Sequence, residues 1–177
     1  MLSLVVRPLR GAVWVITAND SSRQIAAGVA LGMMLGLVPK GNLIALALGV
    51  LLCALRVNKT AGVMAAAAFS AVSVALDTFT HRLGAHLLKV ESLQGFYAWL
   101  YDQPLGPWIG FNNTVVLGSL VLGVYLAYPC YVAAESLLAR IQAPIAAWIK
   151  RFKLARWLLG VDVSSRLGIN PTLGGGS

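Results

Sequence analysis

Residues 24–59 read QIAAGVALGMMLGLVPKGNLIALALGVLLCALRVNK. Two apolar runs of 14 residues, Ile25 to Val38 and Asn42 to Leu55, are separated by Pro39-Lys40-Gly41-Asn42. As helix, each run measures about 21 Å, short of a hydrocarbon core of about 30 Å. Arg23 precedes the first run, and Arg56 and Lys59 follow the second. Basic residues at both outer ends place those ends on one side of a bilayer. The stretch therefore reads as a short helical hairpin over 24–56, with Pro39–Asn42 at its tip. It either re-enters the membrane or forms two thin spans with Lys40 snorkelling to the far surface.

The whole chain agrees with that setting. Of its 177 residues, 58% are apolar and 11% are charged, and the mean hydropathy is +0.77. A soluble domain carries about a quarter charged residues, so so few charges cannot cover a water-facing surface. The fold class expected is an all-α integral membrane protein. The 14 Lys and Arg against 6 Asp and Glu give a net charge of +8. Most of the cations flank apolar runs and are not interleaved with stacking aromatics, which argues against nucleic acid as a partner and for membrane lipids. Cys53 and Cys130 both lie in apolar runs and read as buried thiols, with no spacing for a disulfide or metal.

Outward from the hairpin, residues 1–18 form an amphipathic pattern (Leu2, Val5, Leu9, Val13, Ile16, with Arg7 and Arg10), the mark of an interfacial helix. The segment reads as retained, since its apolar stretch is too short for a signal peptide and no small-residue cleavage site follows. Asn19-Asp20-Ser21-Ser22 offers N-caps for the next helix. Residues 60–76 predict a transmembrane helix ended by Asp77, Thr78, Thr80, His81 and Arg82. Residues 83–112 carry Phe96, Tyr97, Trp99, Tyr101, Trp108 and Phe111 among Gly and Pro, a composition suited to the headgroup level. Residues 113–139 predict the second span, capped by Asn113, bent near Pro129 and closed by Glu135 and Arg140. Residues 141–159 predict an amphipathic helix with a basic rim. Residues 161–177 read as tail, with 174–177 resembling an added linker.

The cations are distributed unevenly across this scheme. Arg7, Arg10, Arg23, Arg56, Lys59, Arg140, Lys150, Arg151, Lys153, Arg156 and Arg166 fall on one side, while Arg82 and Lys89 fall on the other. Eleven against two makes both termini cytoplasmic.

Three groups of residues are candidates for function. Gly28, Gly32 and Gly36 recur every fourth residue and strip one helix face of side chains. Such a face packs the hairpin against itself or against a partner protein. Lys40 and Asn42 sit where the hairpin backbone is broken; such backbone needs protein or water around it. They are either a polar site for a lipid headgroup or a turn whose lysine reaches the interface. Asp77 and His81 are one helical turn apart with Arg82 adjacent. They can form a proton-sensitive pair, hold a phosphate, or simply end a helix in charge. Asn112 and Asn113 precede a span and are most simply its cap; with the three glycines they are also candidates for a partner or helix-packing surface. His81 and His86, five apart, share no helix face, so no metal site is expected. No nucleotide-binding, zinc-protease or serine-hydrolase motif occurs, so no enzyme activity and no cofactor are expected.

The strings IAAGVALGMMLGLVPKGNL (25–43) and LLCALRVNK (51–59) resemble a bacterial membrane family of unknown function, marked by a Gly-rich short helix, a Pro-containing tip and an Arg-x-Asn end. LDTFTHRLG (76–84), LQGF (93–96) and FNNTVVLGSLVLG (111–123) resemble a small subfamily of about this length. That resemblance, over residues 1–160 or so, implies a bacterial inner-membrane companion of a large AsmA-like envelope protein with a transmembrane anchor, of the kind that carries lipid across the periplasm. It implies a non-enzymatic subunit that docks or gates that protein, for which the Gly28/Gly32/Gly36 face and the aromatic 83–112 segment are the expected contact surfaces. The competing expectation from the residues is a small self-assembling transporter or channel, with Lys40, Asn42, Asp77 and His81 along a polar path.

Overall fold

The structure, a computed structural model, describes the backbone of residues 21–151 and the side chains of 21–141. Among these residues it is all-helical, with no strand. The helices are α1 (Ser22–Leu37), α2 (Leu43–Ala54), α3 (Lys59–Leu88), α4 (Glu91–Tyr101), α5 (Gly106–Ile109) and α6 (Thr114–Arg151).

Each longer helix starts where a short polar side chain satisfies amides that have no partner in the first turn. Ser21 opens α1 with a capping box: its Oγ accepts from the Gln24 N–H at 3.3 Å, and Gln24 Oε1 accepts from the Ser21 N–H at 3.2 Å. Asn42 Oδ1 accepts from the Ala45 N–H at 2.8 Å to open α2. Asn113 opens α6 by accepting from the Val115 and Val116 amides. The break between α1 and α2 follows from Pro39, which forces Val38 into extended backbone. It is completed by Gly41, whose φ of +94° lies in the left-handed region.

Asn58 is the most consequential cap. It is 3% exposed, and its Oδ1 accepts from the Ala61 N–H at 2.7 Å. Its own N–H donates to Gln24 O at 3.1 Å, tying the start of α3 to the start of α1. Asn58→Ala is expected to cost about 2 kcal/mol, the upper end for a cap, because a buried amide would lose its acceptor. The drop should be read as a lowered thermal midpoint in detergent, with Asn58→Asp retaining most of the stability.

The core is formed by three helices, α1, α3 and α6, with α2 on the outside. Helices α1 and α3 run parallel. A Cβ added at Gly28 would strike the Asn58 carbonyl, one at Gly32 the Gly62 carbonyl, and one at Gly36 the Ala66 carbonyl, at 2.7 Å. The hairpin supplies this geometry, since α2 returns the chain so that α3 can start beside α1. Helix α6 runs the opposite way. It crosses α3 where Gly84 meets the Thr114 backbone and Gly118 meets the Thr80 backbone, and it passes Met34 of α1 at Gly123. Without water to expel between helices, close backbone approach through small residues is what holds a bundle together in lipid. Ile25, Met33 and Val38 are fully buried at the centre. The buried hydroxyls are satisfied locally: Thr80 donates to Leu76 O and Asp77 O, and Ser119 to Val116 O.

Four sequence expectations are corrected. The glycine face of α1 packs on α3, not on the other arm of its hairpin. The span predicted over 60–76 does not stop at Asp77–Arg82 but continues unbroken to Leu88. No proline interrupts 59–88, and Gly84, the one flexible position near the expected end, is locked against Thr114. Cys53, read as a buried thiol, is exposed and Cys130 is only half-buried; the aromatic 83–112 stretch is built largely of α4 and α5. The helix starting at Thr114 passes Pro129, Glu135 and Arg140 and reaches Arg151, so 141–151 is not a separate helix. The run ESLLARIQA contains helix formers and no cap. The expected helix over 1–18, residues 152–159 and the tail lie outside the described residues.

Candidate functional site

The hairpin tip and the 107–113 segment, which includes the end of α5, border an open cavity of about 350 Å³, lined by Lys40, Asn42, Trp108, Asn112 and Asn113 among others. Lys40 is bent back over the end of α1. Its Nζ donates to Leu35 O at 2.7 Å, Val38 O at 2.9 Å and Gly36 O at 3.1 Å. At a helix end these carbonyls have no intrahelical amide partner, although Gly36 O also accepts from Ser70 Oγ at 3.4 Å, and an ammonium has three donors. Lys40 is thus a C-terminal cap for α1 that also places positive charge where the helix dipole is negative. Partial burial pulls its pKa below the ordinary lysine value, and the three carbonyls act the other way by bonding the protonated form. Asn42 is likewise engaged on both sides, accepting from Ala45 and donating from Nδ2 to Pro39 O at 2.8 Å.

The other sequence candidates stand apart from the tip. Asp77, His81 and Arg82 are exposed on α3 and do not line this cavity. His81 pairs with neither Asp77 nor Arg82. Its Nδ1 lies 2.6 Å from Thr114 Oγ1 and bridges α3 to the first turn of α6. The structure therefore brings Lys40, Asn42, Asn112 and Asn113 together and leaves Asp77, His81 and Arg82 on a helix flank. Gly28, Gly32 and Gly36 are filled by α3 of the same chain and present no open face.

Sequence reading missed two features. Glu135, a carboxylate within an apolar helix, is paired with Arg23, whose Nε lies 3.0 Å from its Oε1. The pairing crosses 112 positions and leaves no local pattern. Gly62, four residues before Ala66, is the half of the α1–α3 contact that small-residue spacing in α3 could have revealed.

The two long helices bear on the setting of the site. Residues 59–88 and 114–141 are each long and apolar enough to cross a membrane, and little of either apolar stretch is buried within the protein. Val74 is 72% exposed, Tyr125 76% and Tyr128 75%. The fold is thus a small helical bundle with two candidate membrane-spanning helices and a capped hairpin against them.

The chain belongs to the bacterial family described as "Uncharacterized protein conserved in bacteria (DUF2062)", which matches residues 12–144. It is similar to an uncharacterized protein of Treponema pallidum (strain Nichols), at 29% identity over 118 residues, covering 67% of this chain and 73% of that protein. No solved structure matches the chain.

Proposed function

We propose that this protein is a non-enzymatic inner-membrane subunit that docks, or gates, the transmembrane anchor of a large AsmA-like, periplasm-spanning lipid-transport protein. The partner's class comes from the sequence resemblance; the surface comes from the fold. The observation that carries the reading is the open face of α2. This 12-residue apolar helix lies outside the three-helix core, with Leu46, Val50 and Leu51 exposed on it and Leu55 exposed at its C-cap. At about 18 Å it is too short to span alone. On it, a Cβ at Gly49 would meet nothing within 4 Å, unlike the glycines of α1. A small residue on an exposed apolar helix lets a second helix approach closely, and a single-span anchor supplies such a helix. The contact surface proposed is therefore α2, in place of the occupied Gly28/Gly32/Gly36 face.

The alternative, a small self-assembling transporter or channel, finds less support: within the single chain Asp77 and His81 do not line the tip cavity with Lys40 and Asn42, and Lys40 has its donors engaged. The test is capture from native membranes, with bound proteins identified by mass spectrometry. The wild type is expected to bring down a large protein with a single apolar anchor, and Gly49→Leu to lose at least about tenfold of it while keeping the wild-type thermal midpoint. Undiminished capture by Gly49→Leu would reject the α2 surface. Solute or ion flux in liposomes holding this chain alone would reject the docking role in favour of transport.

A further inference from the structure

We propose that the hairpin-tip end of the bundle is a binding site for one anionic phospholipid, with the phosphate at the tip cavity and an acyl chain in a second cavity beneath α4. The second cavity has a volume of about 340 Å³ and lies between the end of α3 and α4, lined by Leu88, Tyr97, Leu100, Tyr101 and Phe111. Its wall is mostly apolar; Asp102 contributes to that lining but is exposed and takes no part in the tip cavity. Asn112 lines both cavities, so they adjoin across the 106–112 segment. Each falls at the lower end of ordinary ligand pockets, roughly 300–1,000 Å³. An apolar compartment beside a polar one, with Asn112 at their common wall, suits an amphiphile better than a free ion or a hydrocarbon.

The sign of the head group follows from the charges. Lys40 contributes the only charged side chain lining the tip cavity, and it has no carboxylate partner among the described residues; the ion pair there is Arg23–Glu135, elsewhere in the bundle. Its bonds to carbonyls leave its net charge intact. The Asn112 side chain is exposed and makes no hydrogen bond to the described residues, so its amide is available to a phosphate oxygen. Trp108, 71% exposed at the rim, suits the boundary between head group and chain. The starts of α2 and α6 adjoin the same cavity and add to a positive potential already set by the lysine.

This assignment rests on the membrane placement proposed above and not on the identity of the partner. The full chain, stripped of lipid in detergent, would be titrated with phosphatidylglycerol, phosphatidylcholine and glycerol phosphate, and bound ligands counted by native mass spectrometry. One phosphatidylglycerol per chain is expected, favoured about tenfold over phosphatidylcholine, with glycerol phosphate far weaker. Asn112→Asp places an anion at the exposed junction and should erase the head-group preference. Ala98→Trp, at an exposed position lining the apolar cavity, should weaken both lipids by about tenfold and leave the preference. Equal binding of the two lipids, wild-type binding by both variants, or glycerol phosphate binding as tightly as phosphatidylglycerol would each overturn the proposal. Capture of the protein partner is read on the same preparations. Capture without lipid discrimination sinks only the lipid site, and discrimination without capture sinks only the docking role.

Discussion

Gly32→Leu is expected to abolish the folded bundle. A Cβ at residue 32 would overlap the Gly62 backbone carbonyl and lie 2.9 Å from the Ala65 Cβ. Neither obstacle is the end of a flexible side chain, so the clash is relieved only by moving α1 and α3 apart. Ordinary overpacking costs about 1–3 kcal/mol. Here separation would also loosen the flanking contacts at Gly28 and Gly36, which share the same helix pair, so a loss above about 3 kcal/mol is expected. In detergent this should appear as loss of the monodisperse species and of any cooperative thermal transition. Gly118→Leu, facing the Thr80 carbonyl, should behave similarly through the α3–α6 crossing. Gly49→Leu is the internal control, since open space surrounds that position. If Gly32→Leu melted within a few degrees of wild type, the parallel α1–α3 contact would not exist.

That contact shows what the sequence could and could not reveal. The hairpin is legible because Pro39 and Gly41 act locally: one forbids helical backbone before it, and the other provides a left-handed turn. The caps at Ser21, Asn42 and Asn113 are legible for the same reason. A face of glycines announces that a backbone comes close, but not whose. The answer depends on where α3 begins after the return of α2, which is set by Asn58 bonding to Gln24. The extra twelve residues of α3 after Leu76 were hidden because charge reads as an ending in a membrane protein, whereas a helix ends only where its backbone is stopped.

The candidate site was half legible. Lys40 is conspicuous in an apolar stretch, but its role at the end of α1 depends on three carbonyls that no pattern displays. Asn112 and Asn113 look alike as cap candidates. The structure separates them: Asn113 caps α6, while Asn112 faces two cavities. Asp77 and His81 have the spacing of a pair, yet His81 turns to Thr114 because α6 starts beside it. Long-range packing thus decides which of the polar residues near the tip are free to meet a ligand.

The same lengths give an all-or-none prediction about α3. Placed across a bilayer, residues 60–76 would measure about 26 Å of a hydrocarbon core of about 30 Å, so Lys89 would stand about 15 Å beyond its edge. Arg56 and Lys89 are both exposed, at opposite ends of this helix. The cation excess lies on the Arg56 side, and the bias of Lys and Arg sets orientation in short loops. With Cys53 and Cys130 replaced by Ala, Lys89→Cys in intact spheroplasts should react fully with a membrane-impermeant maleimide. Arg56→Cys should stay unlabelled until the membrane is opened. Both positions reacting from outside would mean that α3 does not cross, and the reverse pattern would invert the orientation. Both outcomes are separable from misfolding, because neither side chain packs in the core and each variant should keep the wild-type melting behaviour in detergent.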